Sequence, residues 1–500
     1  MFMEKSTTSV KVLKAELSNV KDNALLMGFF EDRLSLSTEL KKLDSKLGNI
    51  ISLCIKNNDF KAEKNEIKNI YINKNIKNIV LVGLGEENNF NLDLLCTIIA
   101  DASKRLRDNG TENFSIFLNS FSGKFKDEEV VEKLILSSLM GLYKFIEYKT
   151  KDKNKTKNIN RITIITNSNK NFDKEIIYAS LVADATNKTR DLVNTPPNVA
   201  TPEYIAAYAK ELAKKSNLKC TVFEEKQIVK MKMGCFMGVA QGSMQKPRFV
   251  VLEYYGTDKK KKPIAIVGKG ITFDSGGLNL KPYPFILNMK DDKGGAVAAI
   301  HIIEACAKLK LPVNLVVVTP FCENMPSGTS FRPDDVLTAY NGTTVEIKNT
   351  DAEGRLILAD ALAYAAELKP EAIIDIATLT GASLVVLGYA GTPFICVNDK
   401  LRKQLNEASA KSLEKLWELP LWAEYEDSLK SDVADLKHIG DEGEAGVITA
   451  AMFLKNFVGD IPWAHIDIGT TVWSKVDKGI LVKGATGATV RLMMEFLREW

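Results

Sequence analysis

The chain has 500 residues, more than one hydrophobic core supports, so two or three domains are expected. Hydrophobic residues make up 45% and charged residues 26%, and the net charge of +4, small for this length, argues against a dedicated nucleic-acid binder with its concentrated basic face. The opening MFMEKSTTSV has no signal-peptide core, and no apolar run reaches the roughly 18 residues of a membrane span, so a cytoplasmic protein is expected.

The first third alternates short strands and helices. NALLMGFF (23–30), NIVLVGLG (78–85) and NFSIFLNS (113–120) read as strands. LDLLCTIIADASKRL (92–106) and EEVVEKLILSSLMGLYKF (128–145) read as helices. The glycines of VGLGEENNF lack the GxGxxG spacing of a nucleotide-binding turn. Lys149–Arg161 is basic and polar, a linker or solvated loop before a strand at Ile162–Thr166. Residues 1–172 are therefore expected to form a mixed α/β domain, and 173–500 a second one.

The second region opens with a helix from Lys174 to about Leu192. After the proline-rich NTPPN (194–198), Thr201 and Pro202 are the N-cap and first residue of another helix. The lysine run Lys259–Lys262, between RFVVLEYY and PIAIVG, is expected to be a solvated hairpin turn. PIAIVG, PVNLVVVT and AIIDIAT then alternate with the helical GAVAAIHIIEACAKL and RLILADALAYAAEL. This alternation predicts a largely parallel sheet flanked by helices. Functional sites in such sheets form at the carboxyl ends of the strands.

Those ends carry the chemistry. The loop after PIAIVG holds Lys269, Asp274 and Lys281, the next holds Asp291 and Asp292, and NTDAEGRL (349–356) holds Asp351, Glu353 and Arg355. In the last stretch, Thr350 and Glu353 also have the spacing of a helix capping box. A cap leaves Gly354 unexplained, because glycine costs roughly 1 kcal/mol inside a helix. It also leaves Arg355 unexplained, because a cation opposes the N-terminal dipole. If the acids converge, each pair about 4 Å apart repels by roughly 4 kcal/mol at an effective dielectric near 20. Two divalent cations would relieve that crowding. The 3 histidines, His301, His438 and His465, nearly exclude a histidine-rich zinc site. Oxygen ligation suits Mn²⁺ or Mg²⁺, and Zn²⁺ with less than its usual nitrogen or sulfur share. The 7 cysteines form no CxxC pair, and their odd number points to reduced thiols.

These residues carry a resemblance. NTDAEGRL resembles the signature octapeptide of the leucyl aminopeptidase family of cytosolic metallopeptidases. VGKGITFDSGGLNLKP (267–282), NMKDDKGGA (288–296), ENMPSG (323–328), NTPPN and LTGA (379–382) are similar to that family's motifs as well. The resemblance implies that Lys269, Asp274, Asp292 and Glu353 hold one metal ion, and Asp274, Asp351 and Glu353 the other. Lys281 and Arg355 would be the catalytic pair. A bicarbonate ion acting as general base would lie near Gly354, Arg355 and Leu379, with Gly354 giving room for a close approach. Met289, Thr378, Leu379 and Gly381 would line the pocket for the substrate's first side chain. The chain departs from the family pattern at Lys293, where a methionine is usual, and at Asp291, an additional acid. KGATGATVR also lacks an Arg-Pro that often follows TG.

The expected activity is release of N-terminal residues, leucine and other apolar ones preferred, from peptides by a two-metal activated water. The ions would be Mn²⁺ or Zn²⁺, with Mg²⁺ also suitable. The resemblance further implies a homohexamer; no membrane partner is expected from the sequence, and its small net charge argues against a nucleic-acid partner. Two alternatives stand beside this reading: a two-metal phosphoesterase, and an added DNA-binding regulatory role requiring a basic N-terminal surface.

Overall fold

The computed structural model describes residues 8–72, 76–151, 157–441 and 443–500. Positions 152–156 of the basic segment before the Arg161–Thr166 strand lie outside them. The chain separates into two compact units: residues 1–184 with 475–483, and residues 185–474 with 484–500. Both are α/β, each with a mixed sheet flanked by helices.

The first unit is built on a sheet in the order Ser9–Lys14, Arg161–Thr166, Asn113–Phe117, Ala24–Phe29, Asn78–Gly83, Ile67–Tyr71. Every pairing is parallel except the edge hairpin of Ile67–Tyr71 with Asn78–Gly83. The interior strands Ala24–Phe29 and Asn78–Gly83 are buried at every position. That is why their sequences run apolar without alternation, as strands covered on both faces do. The helices Leu92–Asp108 and Asp127–Gly141 pack against each other.

The second unit carries the larger sheet, ordered Leu416–Glu418, Thr392–Cys396, Trp463–Asp467, Ala372–Ala377, Ile264–Gly268, Asn314–Asn324, Arg248–Tyr255, Lys219–Glu224. Gly270–Asp274 pairs alongside Asn314–Asn324. The centre is parallel, and the antiparallel pairs lie toward the edges. Helices Gly294–Leu309 and Glu353–Glu367 pack on this sheet. Both are short of polar residues because nearly all their positions are buried. The apolar spacing of Leu358, Leu362 and Ala365 does mark a helix, which closes at Leu368. Thr201 caps the helix Pro202–Lys215 by accepting from the Tyr204 N–H at 3.3 Å, with the proline in the first turn.

Two local expectations fail. The Lys259–Lys262 segment is exposed but is not a hairpin turn. The strands on either side of it, Arg248–Tyr255 and Ile264–Gly268, flank Asn314–Asn324 instead of pairing with each other. The later strand inserts between them, an arrangement that local sequence does not encode. The capping box at Thr350–Glu353 also does not form. The helix starts at Glu353 with Ala352 as N-cap and no side-chain cap. Thr350 Oγ1 instead donates to the Gly276 carbonyl at 2.6 Å and accepts from the Asn279 N–H at 2.8 Å.

Candidate metal centre

The parallel strands Ile264–Gly268 and Ala372–Ala377 end side by side, delivering Lys269 and Thr378 to one place. Gly270–Asp274 ends at Asp274, and the first turn of Glu353–Glu367 brings Glu353. The 3-10 turn Met289–Lys293 adds Asp292. Segments separated by tens of residues thus meet at the carboxyl edge of the sheet, where strand ends leave a crevice.

One oxygen each from Asp274, Asp351 and Glu353 lie within 4.8 Å of one another. The buried Lys269 Nζ donates to Asp292 Oδ1 at 2.6 Å and to the Thr378 carbonyl at 2.8 Å, and lies 3.0 Å from Glu353 Oε1. Lys281 Nζ lies 2.5 Å from Asp351 Oδ1 and 2.9 Å from Asp274 Oδ2. The other Asp274 oxygen accepts from the Gly276 N–H (2.9 Å) and from Asn324 Nδ2 (2.8 Å). Thr378 Oγ1 donates to Asp292 Oδ1 at 2.7 Å, while Asp292 Oδ2 is buried with no hydrogen-bond partner.

The electrostatics follow from burial and crowding. Burial first, then Asp274, push the Glu353 carboxyl up to about 8. The same two causes raise Asp351 to about 6. Burial raises Asp292 to about 6 against the pull of Lys269. Burial opposes the charge of Lys281, but Asp274, Glu353 and Asp351 outweigh it and hold the ammonium above its ordinary value. Lys269 is likewise held charged by Asp292, Glu353 and Asp274 against full burial. Glu353, Asp351 and Asp292 are thus hard to ionise without a nearby cation, and in the ion-free site Lys269 and Lys281 keep their protons.

Gly354 faces this cluster. A Cβ there would lie 2.4 Å from Lys269 Cε and 2.7 Å from its Nζ, so the space beside the glycine is filled by the lysine side chain. Arg355 is buried, and its Nη1 donates to the His438 carbonyl at 2.7 Å while its Nε has no partner. Burial lowers its guanidinium to about 10, with Glu353 and Asp467 opposing. The Leu379 N–H donates to Asp467 Oδ1 at 3.1 Å, and the Thr380 hydroxyl to Asp467 Oδ2 at 2.7 Å. Met289 and Leu379 are half-buried, Thr378 is buried and Gly381 is exposed.

Asp291 and Lys293, the two departures from the family pattern, are both buried in the turn that carries Asp292. Burial raises Asp291 to about 7. Burial also draws Lys293 down to about 7 against the charge of Asp291, and its Nζ donates to three carbonyls.

The sequence motifs assign no role to Asn324, His438 or Asp467. Asn324 lies inside ENMPSG, where its amide bridges Asp274 and the Thr350 carbonyl (2.9 Å). His438 and Asp467 stand in no catalytic motif, and only the fold brings them to Arg355 and Leu379.

An α/β fold that gathers carboxylates and lysines at the carboxyl ends of its strands has the make-up of a metal-binding enzyme. Within that class the comparisons are specific. Residues 187–494 match the cytosol aminopeptidase family catalytic domain and residues 26–152 its N-terminal domain, so the chain belongs to the cytosol aminopeptidase family, whose members are peptidases. A probable cytosol aminopeptidase of Geobacter sp. (strain M21) is 39% identical over 480 residues, 95% of this chain and 96% of that protein. One from Pseudomonas syringae pv. syringae (strain B728a) is 40% identical over 486 residues, 96% of this chain and 97% of that protein. Among solved structures, a tomato leucine aminopeptidase mutant superposes with a TM-score of 0.89 at 30% identity, covering 100% of this chain and 98% of that one. The bottromycin maturation enzyme BotP in complex with Mn gives 0.84 at 28% identity, covering 96% and 99%. No helix among the described residues is long and apolar enough to cross a membrane.

Proposed function

We propose that the protein is a dinuclear metal aminopeptidase that releases N-terminal residues, preferably leucine and other apolar ones, from peptides. The gathering of Asp274, Asp351 and Glu353 oxygens within 4.8 Å carries this reading. The residues suit divalent ions: the donors are mostly carboxylate oxygens, and Asp292 Oδ2 is a buried acceptor with nothing to accept from. Asp274, Asp292 and Glu353 would hold one ion, joined by Lys269 once the ion's field has displaced its proton and left a neutral amine, and Asp274, Asp351 and Glu353 would hold the other. Mn²⁺ and Zn²⁺ are the candidate ions, with Mg²⁺ also suited to the oxygen-rich set. When bound, two such ions supply Lewis acidity toward a carbonyl and lower the pKa of water toward roughly 7.

The protein's own groups do the rest. Lys281 keeps its charge at the edge of the cluster and stabilises the oxyanion that develops on the scissile carbonyl. Arg355 is fixed by His438 through one nitrogen and offers its buried Nε to an anion. Bicarbonate is the anion this reading names, as acceptor of the proton passed to the leaving amine. Met289, Thr378, Leu379 and Gly381 would bound the pocket for the first side chain. A homohexamer in the cytoplasm belongs to the same reading, with light scattering as its measurement.

The test is metal analysis of the purified chain, with hydrolysis of a leucyl chromogenic amide assayed before and after chelation, beside a phosphoester. Amide hydrolysis lost on chelation and restored by Mn²⁺ or Zn²⁺ supports the proposal. Phosphoester turnover without amide turnover overturns it.

A further inference from the structure

The turn that carries Asp292 is fastened by an unusual device. The helix Asp173–Asn194 runs into Pro196 and Pro197, which have no N–H groups. The Val193 carbonyl would ordinarily accept from the residue four positions on, which is Pro197. A lysine of the metal turn takes the place of that missing donor, and the two lysines of the turn together also bind the next two carbonyls. Lys293 Nζ donates to the Val193 carbonyl at 3.2 Å, the Thr195 carbonyl at 3.4 Å and the Lys290 carbonyl at 2.5 Å. Lys290 Nζ donates to the Asn194 carbonyl at 3.0 Å. Three successive carbonyls at a helix C-terminus, the negative end of its dipole, are therefore held by the N–H groups of two lysine side chains.

We propose that Lys293 is a positioning residue of the metal centre: by joining the turn Met289–Lys293 to the carbonyls of Val193 and Thr195, it fixes the backbone from which Asp292 reaches its ion.

Three carbonyl acceptors match the three N–H bonds of an ammonium. Lys293 is fully buried, and an apolar side chain would fill the same space without the several kcal/mol of desolvation that a buried ion costs. What an apolar side chain cannot do is bridge the turn to the helix end. On the far side, Gly294 and Gly295 allow no compensating shift. A Cβ on Gly295 would stand 2.0 Å from the Ile376 carbonyl oxygen, so the backbone is already in contact with the sheet. Asp292 itself is aimed by Lys269 and Thr378, leaving Oδ2 open. Lys293 thus supports the ion position that uses Asp292 and leaves the position formed by Asp274, Asp351 and Glu353 alone.

The inference rests on the metalloaminopeptidase reading, and its test separates the two. Mn²⁺ binding to the full chain is measured by calorimetry for wild type, K293M and K293Q, with the melting of the metal-free proteins and steady-state kinetics alongside. K293M is expected to weaken one of two Mn²⁺ sites by about tenfold or more, as loss of support behind a ligand does, and to leave the other unchanged. Its kcat should return toward wild type at saturating Mn²⁺. K293Q, which keeps two N–H bonds, should fall between, and it provides the reading if K293M does not fold. Wild-type affinity at both sites in the folded variants overturns the proposal, as does a lowered melting temperature with no change in metal binding. A wild-type protein that binds no pair of ions and cleaves no leucyl amide refutes the enzymatic reading first, and this inference with it.

Discussion

Gly354 stands where any side chain would strike Lys269, with a Cβ 2.4 Å from its Cε. The glycine that a helix start would avoid is there to admit a lysine. Gly354→Ala should therefore displace Lys269 from Asp292 and Glu353. The expected result is a folded protein with weaker metal binding and activity reduced by about tenfold or more, read by calorimetry and amide hydrolysis. Glu353→Ala removes a carboxylate from both proposed ion positions and should abolish turnover. Lys281→Ala should lower kcat by roughly 10²–10³ with little change in KM, the pattern of a group needed mainly in the transition state. An unchanged kcat would remove Lys281 from the oxyanion role. At this scale the sequence was most legible, because each acid or basic residue stood in a short motif beside glycines. Hidden from it was the neighbour of each residue: that Gly354 meets Lys269, that Arg355 leans on His438, and that Asp467 takes the Leu379 N–H. Those contacts join segments far apart in the chain.

The helix Glu353–Glu367 links the proposed metal site to folding. Its first turn carries Glu353 and Arg355, and one turn further in, the fully buried Asp360 accepts the Phe236 N–H at 2.8 Å and the Tyr340 N–H at 2.7 Å. Asp360 thereby satisfies an amide in the first turn of the helix Gly234–Ala240 that has no local cap. Asp360→Ala strands both donors and should cost on the order of 3 kcal/mol in stability, read by denaturant unfolding. Burial raises this carboxyl to about 7, against the backbone amides that favour its charge. With its folded pKa above the unfolded value of 3.8, the native state holds the extra proton between those limits. That contribution to stability is present at low pH and fades as pH rises from about 4 to about 7. Asp360→Asn removes the slope. Its stability relative to wild type should therefore shift in the variant's favour by up to about 1.4 kcal/mol per pH unit across the window. The helix itself was readable from its apolar spacing, but its start was not. Thr350 had the spacing of a cap, yet its hydroxyl serves the Gly276 loop, since a tertiary partner outbid the local one. The lysine run failed as a hairpin for a related reason: a strand formed by later residues entered between its neighbours.

For the whole molecule, buried acids raised by burial and by one another predict that divalent ions stabilise the fold. At 100 times the dissociation constant, each independently bound ion should add roughly 2.7 kcal/mol. Melting should therefore rise with Mn²⁺ and fall on chelation, and a melting temperature indifferent to both would contradict the metal assignment. The α/β class and the two-domain division were visible in the rhythm of strands and helices. Strand order was not, because pairing across the sheet depends on topology that local pattern does not record. The return of residues 475–483 to the first unit was equally unreadable: Asp477 pairs with Lys104 there, and the Gly479 N–H donates to Asp101 at 2.8 Å. That short excursion means no single cut of the gene yields both halves intact. A fragment ending at Asp184 would lack one of the two carboxylate partners of the buried Lys104, and a fragment beginning at Ala185 would carry nine residues that belong to its absent companion.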